Sequence, residues 1–514
     1  MTTVDTRSEG KDVGAHSHDL LKSSIKFFHI VLMVTAAAAP LVVVSAYIPI
    51  SVAYGSGMAT PITYAAVTLV LLIFTVGFAQ MAKRITSAGA FYTFTTQGLG
   101  KPAGLAAGFM IVAAYSMIAA AIHGGFGLFT SSLLESYFGI SLEWYWCSVI
   151  ALVLTYAISY YRVTFTARLL GVALVLEVFV VLIVAIATVG QGGAEGQSAA
   201  ALNPASWADS PAVGIGFFLA FWSWIGFETT AIYGEETVDP KRSVPRATYI
   251  AVLTLGTFYT FASYAAVVGF GSDSPAQAET LADQYFFQLA DNYTLGFVRT
   301  LMDFLVVTGF FACTFAFHNN ASRYFFSLGR DRILPSALGR THPEHKSPYI
   351  AAGLQVTIAI VTVLAFGFGG GDPLLHLGTW VAIFCTLAVI TVQLLVSLAV
   401  IAYFNRVGRS GAPDYLKTLV APVFGAVAQA TIAILLLMNL TFLAGADNLT
   451  VNLIPLYVAL VGGTGAAYAL YLRKRSPERY AAIGQLRDDE LVDAFVDEDH
   501  WGPDIESDGR GASD

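Results

Sequence analysis

The sequence predicts an all-α membrane protein with twelve transmembrane helices. Its 514 residues are 56% hydrophobic and only 12% charged, and the mean hydropathy is +0.66. A soluble domain typically has about 25% charged residues, so this chain has too few charges to cover a water-facing surface. Crossing a hydrocarbon core of about 30 Å takes roughly 20 residues. Twelve apolar segments meet this requirement, near 27–54, 60–82, 103–131, 144–161, 169–190, 212–233, 248–270, 296–321, 349–368, 377–404, 418–443 and 451–472.

The distribution of Lys and Arg predicts that both termini are cytosolic. An even number of spans puts both termini on one side, and positively charged short loops stay in the cytosol. With the termini inside, every Lys and Arg except Arg299 falls on the cytosolic side. We therefore expect a multi-pass protein of the cell (plasma or inner) membrane, with the lipid bilayer as its surroundings.

The polar ends of the chain predict two cytosolic extensions. Residues 1–26 are polar and lack the order of regions that defines a cleaved signal peptide. Residues 473–514 form an acidic tail, whose composition predicts disorder. Cys147, Cys313 and Cys385 lie in or beside apolar segments without metal-ligand spacing, so they predict neither disulfides nor a metal site.

Two membrane helices carry helix breakers near their middle. The first contains Ala36-Ala-Ala-Ala-Pro40-Leu41, and the sixth contains Trp222-Ser-Trp-Ile-Gly226-Phe-Glu228. In hydrocarbon an unpaired backbone amide costs several kcal/mol, so a broken helix is tolerated only where it lines a protein-enclosed cavity. Breaks at corresponding positions of two halves are typical of the midplane substrate site of secondary transporters. The sequence therefore predicts discontinuous helices 1 and 6 and a small-molecule substrate.

Four patches, in order and at matching membrane positions, resemble the amino acid-polyamine-organocation (APC) transporter superfamily. The longest is Gly226-Phe-Glu-Thr-Thr-Ala-Ile-Tyr-Gly-Glu-Glu-Thr-Val-Asp-Pro-Lys-Arg-Ser-Val-Pro-Arg246, which is similar to the sixth helix and following loop of that family. The others are Ser87-Ala-Gly-Ala-Phe-Tyr92, Ser322-Arg-Tyr-Phe-Phe-Ser-Leu-Gly-Arg-Asp-Arg-Ile-Leu-Pro335 and His342-Pro-Glu-His-Lys-Ser-Pro348. The resemblance covers nearly the whole hydrophobic chain.

The resemblance implies a LeuT-like fold with a five-plus-five inverted repeat and two additional helices. The repeats would be residues 27–190 and 212–404, followed by helices 11 and 12 within 418–472. It also implies amino acids or organic amines as substrates, bound where the helices break. The substrate-binding residues would then be Ala38, Ala39, Pro40, Leu41, Trp222, Ser223, Gly226 and Phe227.

The first break departs from the common family pattern. Many members have a Gly-Ser-Gly-like stretch there, where backbone amides meet the substrate carboxylate, whereas this chain has Ala-Pro. Proline lacks an amide proton and removes an intrahelical hydrogen bond. The unwinding is retained, but the Gly-lined approach to a carboxylate is not. An apolar-Pro version resembles the branch that includes putrescine importers, so a polyamine importer stays an alternative.

Glu177 is the second departure. By the resemblance it falls in the fifth helix where several members carry a lysine whose ammonium stands in for a sodium ion. A carboxylate in mid-helix costs roughly 2.5–3.5 kcal/mol on insertion scales and marks a functional site by default. We expect Glu177 to carry a coupled proton. The alternative is a permanently neutral side chain bonded to a neighbouring helix.

Three further polar residues at membrane depth are candidates for coupling or gating. Glu228 follows the break at Gly226, where it would link gate closure to protonation or would only accept hydrogen bonds from the amides freed by unwinding. His123 and His318 would carry protons or would form interhelical hydrogen bonds. Trp222 is, on the resemblance, the aromatic residue that covers the substrate. It and Trp224 would otherwise be packing residues.

The sequence therefore predicts a secondary active transporter that imports an amino acid or small organic amine by alternating access, with protons as the coupling ion. An amino acid exchanger is an alternative within this class, and a non-transporting nutrient sensor is an alternative outside it. The chain lacks a phosphate-binding Gly-rich loop with its Lys, a His-Glu-x-x-His helix and a nucleophile elbow. We therefore expect no enzymatic activity, no cofactor, no metal and no nucleic-acid partner, and the sequence leaves the oligomeric state open.

Overall fold

The structure is a computed structural model, and it describes residues 25–161, 164–407 and 414–485. Within these ranges the regular structure is helical, and the sole β pairing is an isolated parallel bridge between Ile25 and Thr237. We number the helices that cross the bundle α1 to α12. They are α1 (Phe27–Gly55), α2 (Thr60–Arg84), α3 (Lys101–Phe138), α4 (Trp144–Tyr161), α5 (Thr164–Gly190), α6 (213–232, interrupted), α7 (Pro240–Phe270), α8 (Gly296–Arg330), α9 (Tyr349–Phe368), α10 (Val381–Val407), α11 (Ala421–Met438) and α12 (Ile454–Arg475).

The predicted all-α fold with twelve spans is confirmed. In the part of the chain that the structure describes, eleven helices are long and apolar enough to cross a membrane. The remaining span is α6, which consists of an apolar helix of 10 residues, Val213–Trp222, and a short helix, Thr229–Ile232. The division of the chain into two five-helix repeats stays a prediction.

α8 is longer than the sequence predicted. We expected this span to end near residue 321 and Arg323 to begin a loop, but the helix continues to Arg330. The prediction was wrong because it placed the end of the helix where the side chains become polar. A helix ends only where its backbone hydrogen bonds end, and polar residues can continue it. Arg323 and Arg330 therefore lie two helical turns apart on the same face of α8.

The long helix α3 runs through the centre of the bundle and packs against α8, α10 and α12. Small residues allow helices to approach closely here, as is usual in membrane bundles. A Cβ atom added to Gly98, in the short helix Ala90–Leu99, would lie 2.4 Å from the Ala399 backbone of α10. One added to Gly104 of α3 would lie 1.8 Å from the hydroxyl oxygen of Thr96. These glycines fix the short helix against α3 and α10.

One end of the bundle collects basic residues. α2, α8, α10 and α12 have Arg84, Arg330, Arg406 and Arg475 in their last turns. We call this the basic end, and the other the opposite end. That the basic end faces the cytosol stays a prediction.

Candidate functional site

The interruption of α1 lies at Ala39. The first half of the helix ends at Ala38, and Ala39 adopts a left-handed conformation with φ 46° and ψ 70°. Pro40 begins the second half, which continues to Gly55 through α- and π-helical turns. The break frees two carbonyl groups. The Ala38 oxygen accepts a hydrogen bond from the Tyr259 hydroxyl at 2.7 Å, and the Ala37 oxygen accepts one from the Cys313 thiol at 3.2 Å.

The interruption of α6 extends from Ser223 to Glu228, in a series of turns. Gly226 lies within it with φ +110°, a conformation that side chains rarely adopt. A Cβ atom at this position would lie 2.9 Å from the Cβ of Ala37 and 3.1 Å from the ring of Phe317. Gly226 therefore lets the broken part of α6 pack directly against the end of the first half of α1 and against α8.

A small pocket of about 20 Å³ lies between the two interruptions. We call it the central pocket. Its volume is close to what one water molecule needs. It is lined by both broken helices together with α3 and α8: Ala37, Ala38, Ala39, Val42, Val43, Tyr47, Ile118, Ile122, Trp222, Ser223, Ile225, Cys313 and Phe317.

The lining of the central pocket is apolar and uncharged. Among the described lining residues, the side chains with polar atoms are Ser223, Tyr47, Cys313 and Trp222, and none is Asp, Glu, Lys, Arg or His. The Ser223 hydroxyl donates to the Leu219 carbonyl at 2.8 Å and lies 3.1 Å from the Tyr64 hydroxyl. The backbone groups at the breaks are already partly engaged, since the Gly226 amide donates to Glu228 and the Ala37 and Ala38 carbonyls each accept one hydrogen bond. Each carbonyl oxygen keeps a second lone pair that a ligand could use.

The predicted substrate-binding residues divide into two groups. Ala38, Ala39, Trp222 and Ser223 line the central pocket. The other four, Pro40, Leu41, Gly226 and Phe227, belong to the same interruptions but are not among the lining residues. Gly226 acts instead through the close packing described above.

A larger cavity lies on each side of the central pocket. Toward the opposite end there is one of about 760 Å³, and toward the basic end there is one of about 320 Å³. We call them the outer cavity and the inner cavity. Trp222, Tyr47 and Ile122 line both the central pocket and the outer cavity. The Trp222 and Tyr47 rings meet edge to face with centroids 6.1 Å apart, so they form the wall on this side.

On the other side, a single layer of residues separates the central pocket from the inner cavity. Ala36 and Ala316 line the inner cavity, and their neighbours Ala37 and Phe317 line the central pocket. Movement of the first half of α1 away from α8 would join the two spaces.

Near the basic end of the inner cavity, hydrogen bonds and a buried ion pair join three segments of the chain. The Ile25 amide donates to the Glu236 carbonyl at 2.9 Å, and the Val238 amide donates to the Ile25 carbonyl at 2.9 Å. The Glu236 carboxylate accepts from the Arg323 guanidinium at 2.8 Å, with both side chains buried. The guanidinium also lies 3.9 Å from the centre of the Tyr233 ring. These contacts tie the start of α1 to the segment after α6 and to α8.

A second ion pair lies beyond the first. Arg330 donates two hydrogen bonds to Glu235, both at 2.9 Å. Glu235 also accepts from the Ala88 amide at 2.8 Å, which extends these contacts to the loop after α2. Sequence reasoning did not select Glu235 and Glu236. The sequence feature that could have indicated them is the pair of adjacent glutamates after α6. Two arginines seven residues apart, Arg323 and Arg330, could pair with them.

Glu228 accepts hydrogen bonds from two groups. One is the amide of Gly226 at 3.1 Å, and the other is the Tyr115 hydroxyl. These contacts are those expected of the structural alternative, an acceptor for amides freed by unwinding. Its role in coupling or gating stays a prediction.

Glu177 lies in the middle of α5 and is fully buried. Neither of its carboxylate oxygens has a hydrogen-bond partner in the described ranges. The side chain is directed at Gly309 of α8, where a Cβ atom would lie 2.6 Å from one oxygen. A carboxyl group that is buried without a partner is costly when ionised. Whether Glu177 carries a proton or is a neutral side chain bonded to a neighbouring helix stays a prediction.

The two histidines are buried near the centre of the bundle, and neither lines the central pocket. The Nδ1 atom of His123 lies 2.6 Å from the Ala119 carbonyl of its own helix, and its Nε2 atom has no partner among the described residues. Both ring nitrogens of His318 lack a partner there as well. Their ring nitrogens thus form no interhelical hydrogen bond within the described ranges, and the roles of both histidines stay predictions.

The sequence did not identify the pocket residues that come from α3 and α8. Ile118 and Ile122 on α3, and Cys313 and Phe317 on α8, are pairs with i, i+4 spacing. That spacing places each pair on one face of its helix. Both helices are apolar over most of their circumference, however, so the pattern did not indicate which face meets the breaks.

The chain is similar to membrane transporters over most of its length. The sequence profile of a family described as "Amino acid permease" matches residues 25–477. The branched-chain amino acid permease BcaP of Bacillus subtilis (strain 168) is 24% identical over 450 residues, which cover 82% of this chain and 87% of the relative. The low-affinity putrescine importer PlaP of Escherichia coli (strain K12) is 25% identical over 343 residues, 64% of this chain and 73% of the relative. An uncharacterised transporter of Rhizobium meliloti (strain 1021) is 30% identical over 298 residues, 55% and 61% of the two chains.

Proposed function

The chain belongs to the amino acid permease family, and from this premise we propose that it imports an amino acid with a small apolar side chain by alternating access. The observation that carries the proposal is the position of the central pocket. It lies between the two helix breaks, with a cavity on either side and a thin wall toward each. A site that opens to one cavity at a time is the requirement for alternating access.

The two walls suggest how the site opens. Toward the outer cavity, rotation of the Trp222 and Tyr47 side chains would expose the site without moving a helix. Toward the inner cavity, the first half of α1 must move, and the contacts of Ile25 and Glu236 must break first. We therefore assign Trp222 and Tyr47 to the outer gate, and the Glu236–Arg323 pair to the inner gate.

The chemistry of the pocket supports an amino acid over a diamine. A diamine carries two ammonium groups and needs an acceptor at each end, whereas the pocket lining contains no carboxylate. Glu177 and Glu228, which the sequence offered as such acceptors, are not lining residues. An amino acid needs donors for its carboxylate, acceptors for its ammonium and apolar contact for its side chain. Helix ends at the breaks supply the backbone groups, and Ile118, Ile122 and Val43 supply the apolar contact.

The test is uptake of radiolabelled leucine by proteoliposomes containing the purified chain, with unlabelled valine, alanine and putrescine as competitors. We expect saturable accumulation that valine inhibits and putrescine does not. Inhibition by putrescine with little effect of valine would assign the chain to amine import instead. Saturable binding without accumulation would identify a sensor and end the transporter proposal.

We propose further that Glu177 carries the coupled proton. Among the described residues the Glu177 oxygens have no hydrogen-bond partner, and the side chain faces Gly309 of α8. Burial favours the neutral carboxyl group, and water or a cation brought by a conformational change would favour its ionised form. Gly309 leaves room for this side chain. Cys313 lines the central pocket and lies one helical turn from Gly309 on α8. A movement of α8 on substrate binding would therefore also move the surface that Glu177 contacts.

Replacement Glu177→Gln tests this role. Gln keeps the shape of the neutral acid but does not titrate. We expect concentrative uptake to lose its response to an imposed pH gradient, while equilibrium binding of the substrate persists. The measurement is uptake at two external pH values beside binding, with Glu135→Gln, at an exposed carboxylate, as the matched control. A pH response retained by Glu177→Gln would exclude the residue as the proton carrier.

A further inference from the structure

A cavity of about 850 Å³ lies at the basic end, away from the substrate path. It is bounded by the segment that follows α8, by α12 and by the short helix Pro477–Ala482. Four arginines line it, Arg330, Arg332, Arg340 and Arg479. We call it the arginine cavity.

The positive charge of the arginine cavity is only partly neutralised. Arg330 is paired with Glu235. Within the described ranges, Arg332, Arg340 and Arg479 form no ion pair with a carboxylate. Arg479 donates instead to the backbone carbonyl of Arg332, at 2.9 and 2.6 Å. This contact brings the two residues together without cancelling either charge.

Two carboxylates adjoin these arginines in sequence. Glu478, next to Arg479, does not line the cavity, and Asp331 is already engaged elsewhere. Its Oδ2 atom accepts from the Tyr92 hydroxyl at 2.8 Å and from the Gly484 amide at 2.9 Å. The residue is buried and does not line the arginine cavity. The cavity therefore has a net positive charge and wide access, which are the properties of an anion site.

The flank of the arginine cavity faces lipid. Tyr468 of α12 lines the cavity, and its ring stacks with that of Tyr471 at 6.3 Å and 13°. Tyr471 is 57% exposed and Leu470 is 47% exposed, on a helix that crosses the membrane. Tyrosines near the basic end of a spanning helix lie at headgroup level. A ligand in the cavity could therefore continue along an apolar, lipid-facing surface.

We propose that the arginine cavity binds the headgroup phosphodiester of an anionic phospholipid from the leaflet at the basic end, with the acyl chains along the exposed face of α12. Arginine matches phosphate oxygens with two parallel hydrogen bonds. Basic pockets between membrane helices bind such headgroups. This proposal does not depend on the identity of the transported substrate.

The chain's own acidic segment, 488–514, is the competing occupant, since its carboxylates begin three residues after Gln485. The stacked tyrosines and the exposed apolar face of α12 favour the lipid, because acyl chains would cover this face continuously. The acidic segment has only scattered apolar residues for it, namely Leu491, Val492, Phe495, Val496, Trp501 and Ile505.

The test is native mass spectrometry of the full chain with phosphatidylglycerol or phosphatidylcholine. Two double variants remove two positive charges each: Arg332→Gln with Arg340→Gln inside the cavity, and Arg473→Gln with Lys474→Gln outside it. Each arginine near an anionic lipid surface contributes roughly a factor of five to binding. We therefore expect phosphatidylglycerol affinity to fall roughly 25-fold in the cavity variant and to stay near that of the wild type in the control.

Melting temperatures in phosphatidylcholine show whether both variants fold, and a chain ending at Gln485 tests the competing occupant. Retention of the phosphatidylglycerol preference after this truncation supports the lipid site. Equal affinities of the two double variants would overturn the proposal. A preference that appears only in the truncated chain would also overturn it, and would identify the acidic segment as the occupant.

Discussion

At the scale of single residues, the two helix breaks depend on backbone conformations that most residues avoid. Ala39 has a positive φ despite its side chain, and Gly226 has one within a tight packing contact. A strained non-glycine residue costs about 1–3 kcal/mol and persists where the surroundings enforce it. At Ala39 the surroundings are the hydrogen bonds from Tyr259 and Cys313 to the preceding carbonyls. Residues outside the break therefore fix its backbone conformation, and each bonded carbonyl keeps one lone pair.

Gly226→Ala should abolish most transport. The added methyl group would lie 2.9 Å from Ala37 and require an unfavourable φ, so we expect at least about a tenfold loss of uptake and a lower melting temperature. Gly463→Ala in α12 is the matched control, because nothing lies within 4 Å of its added Cβ. Normal uptake by Gly226→Ala would show that the contact between the two breaks is dispensable.

Ile118→Ala should change substrate preference as well as stability. Ile118 lines the central pocket, whereas Ile111, two turns away on α3, is equally buried but does not line it. Both truncations should cost about 2–5 kcal/mol of stability. Only Ile118→Ala should weaken the binding of leucine relative to that of alanine, by roughly tenfold or more. The measurement is competition for uptake, and equal preferences in the two variants would remove Ile118 from the site.

At the scale of elements, the proposed inner gate depends on the length of α8, which carries both of its arginines. Arg323 and Arg330 project from one face of this helix toward consecutive glutamates after α6. Breaking a buried ion pair leaves an uncompensated charge. Such a pair therefore separates only when another interaction offsets the lost free energy. The pairs therefore favour the conformation that is closed at the basic end.

Glu236→Gln should make the central pocket more accessible from the basic end. Removing one charge of a buried pair costs about 3–5 kcal/mol, which shifts the gate toward opening. Cys313 is a native reporter, because it is buried and lines the pocket. We expect faster alkylation of Cys313 by a maleimide, measured by mass spectrometry of peptides. Buried Cys385 does not line the pocket and serves as the internal control.

The combined variant Glu236→Gln with Arg323→Gln removes the second charge and should return Cys313 alkylation toward the wild-type rate. An unchanged rate in Glu236→Gln alone would show that the pair does not control access to the pocket.

Much of the element scale was predictable from the sequence, and the limits have physical causes. Hydrophobic length predicted the twelve spans, and Pro40 and Gly226 predicted the breaks, because both signals are local. The end of α8 was not predicted, since polar residues continued the helix. The residues of α3 and α8 that line the pocket were not predicted either, because the rotation of a helix about its axis is set by packing against distant segments.

At the scale of the whole molecule, three spaces are arranged in series between two differently built gates. The outer wall consists of the side chains Trp222 and Tyr47, whereas the inner wall needs movement of half a helix. The two buried carboxyl groups also differ in their hydrogen bonds. Glu228 is bonded to the break itself, and Glu177 is not bonded among the described residues. The sequence could select both as candidates, but only their contacts distinguish them.

Trp222→Ala should expose Cys313 to reagents from the opposite end and leave the inner gate closed. Loss of the indole removes the wall shared by the central pocket and the outer cavity. In proteoliposomes of defined orientation, an impermeant thiol reagent should then label Cys313 only from the side of the outer cavity. Labelling from the basic end instead would contradict the assignment of the two gates.

The volume of the central pocket, about 20 Å³, has a consequence for selectivity. If the proposed site is correct, space for one water molecule is too small for an amino acid, so the cargo would spread the walls as it enters and the walls would then close around it. Discrimination therefore has two stages. A molecule that enters but is too bulky for the indole of Trp222 to swing back would remain bound without being carried across, and would act as a blocker. Among chemically similar compounds, the width of the molecule rather than its affinity would then decide whether it is transported or inhibits transport.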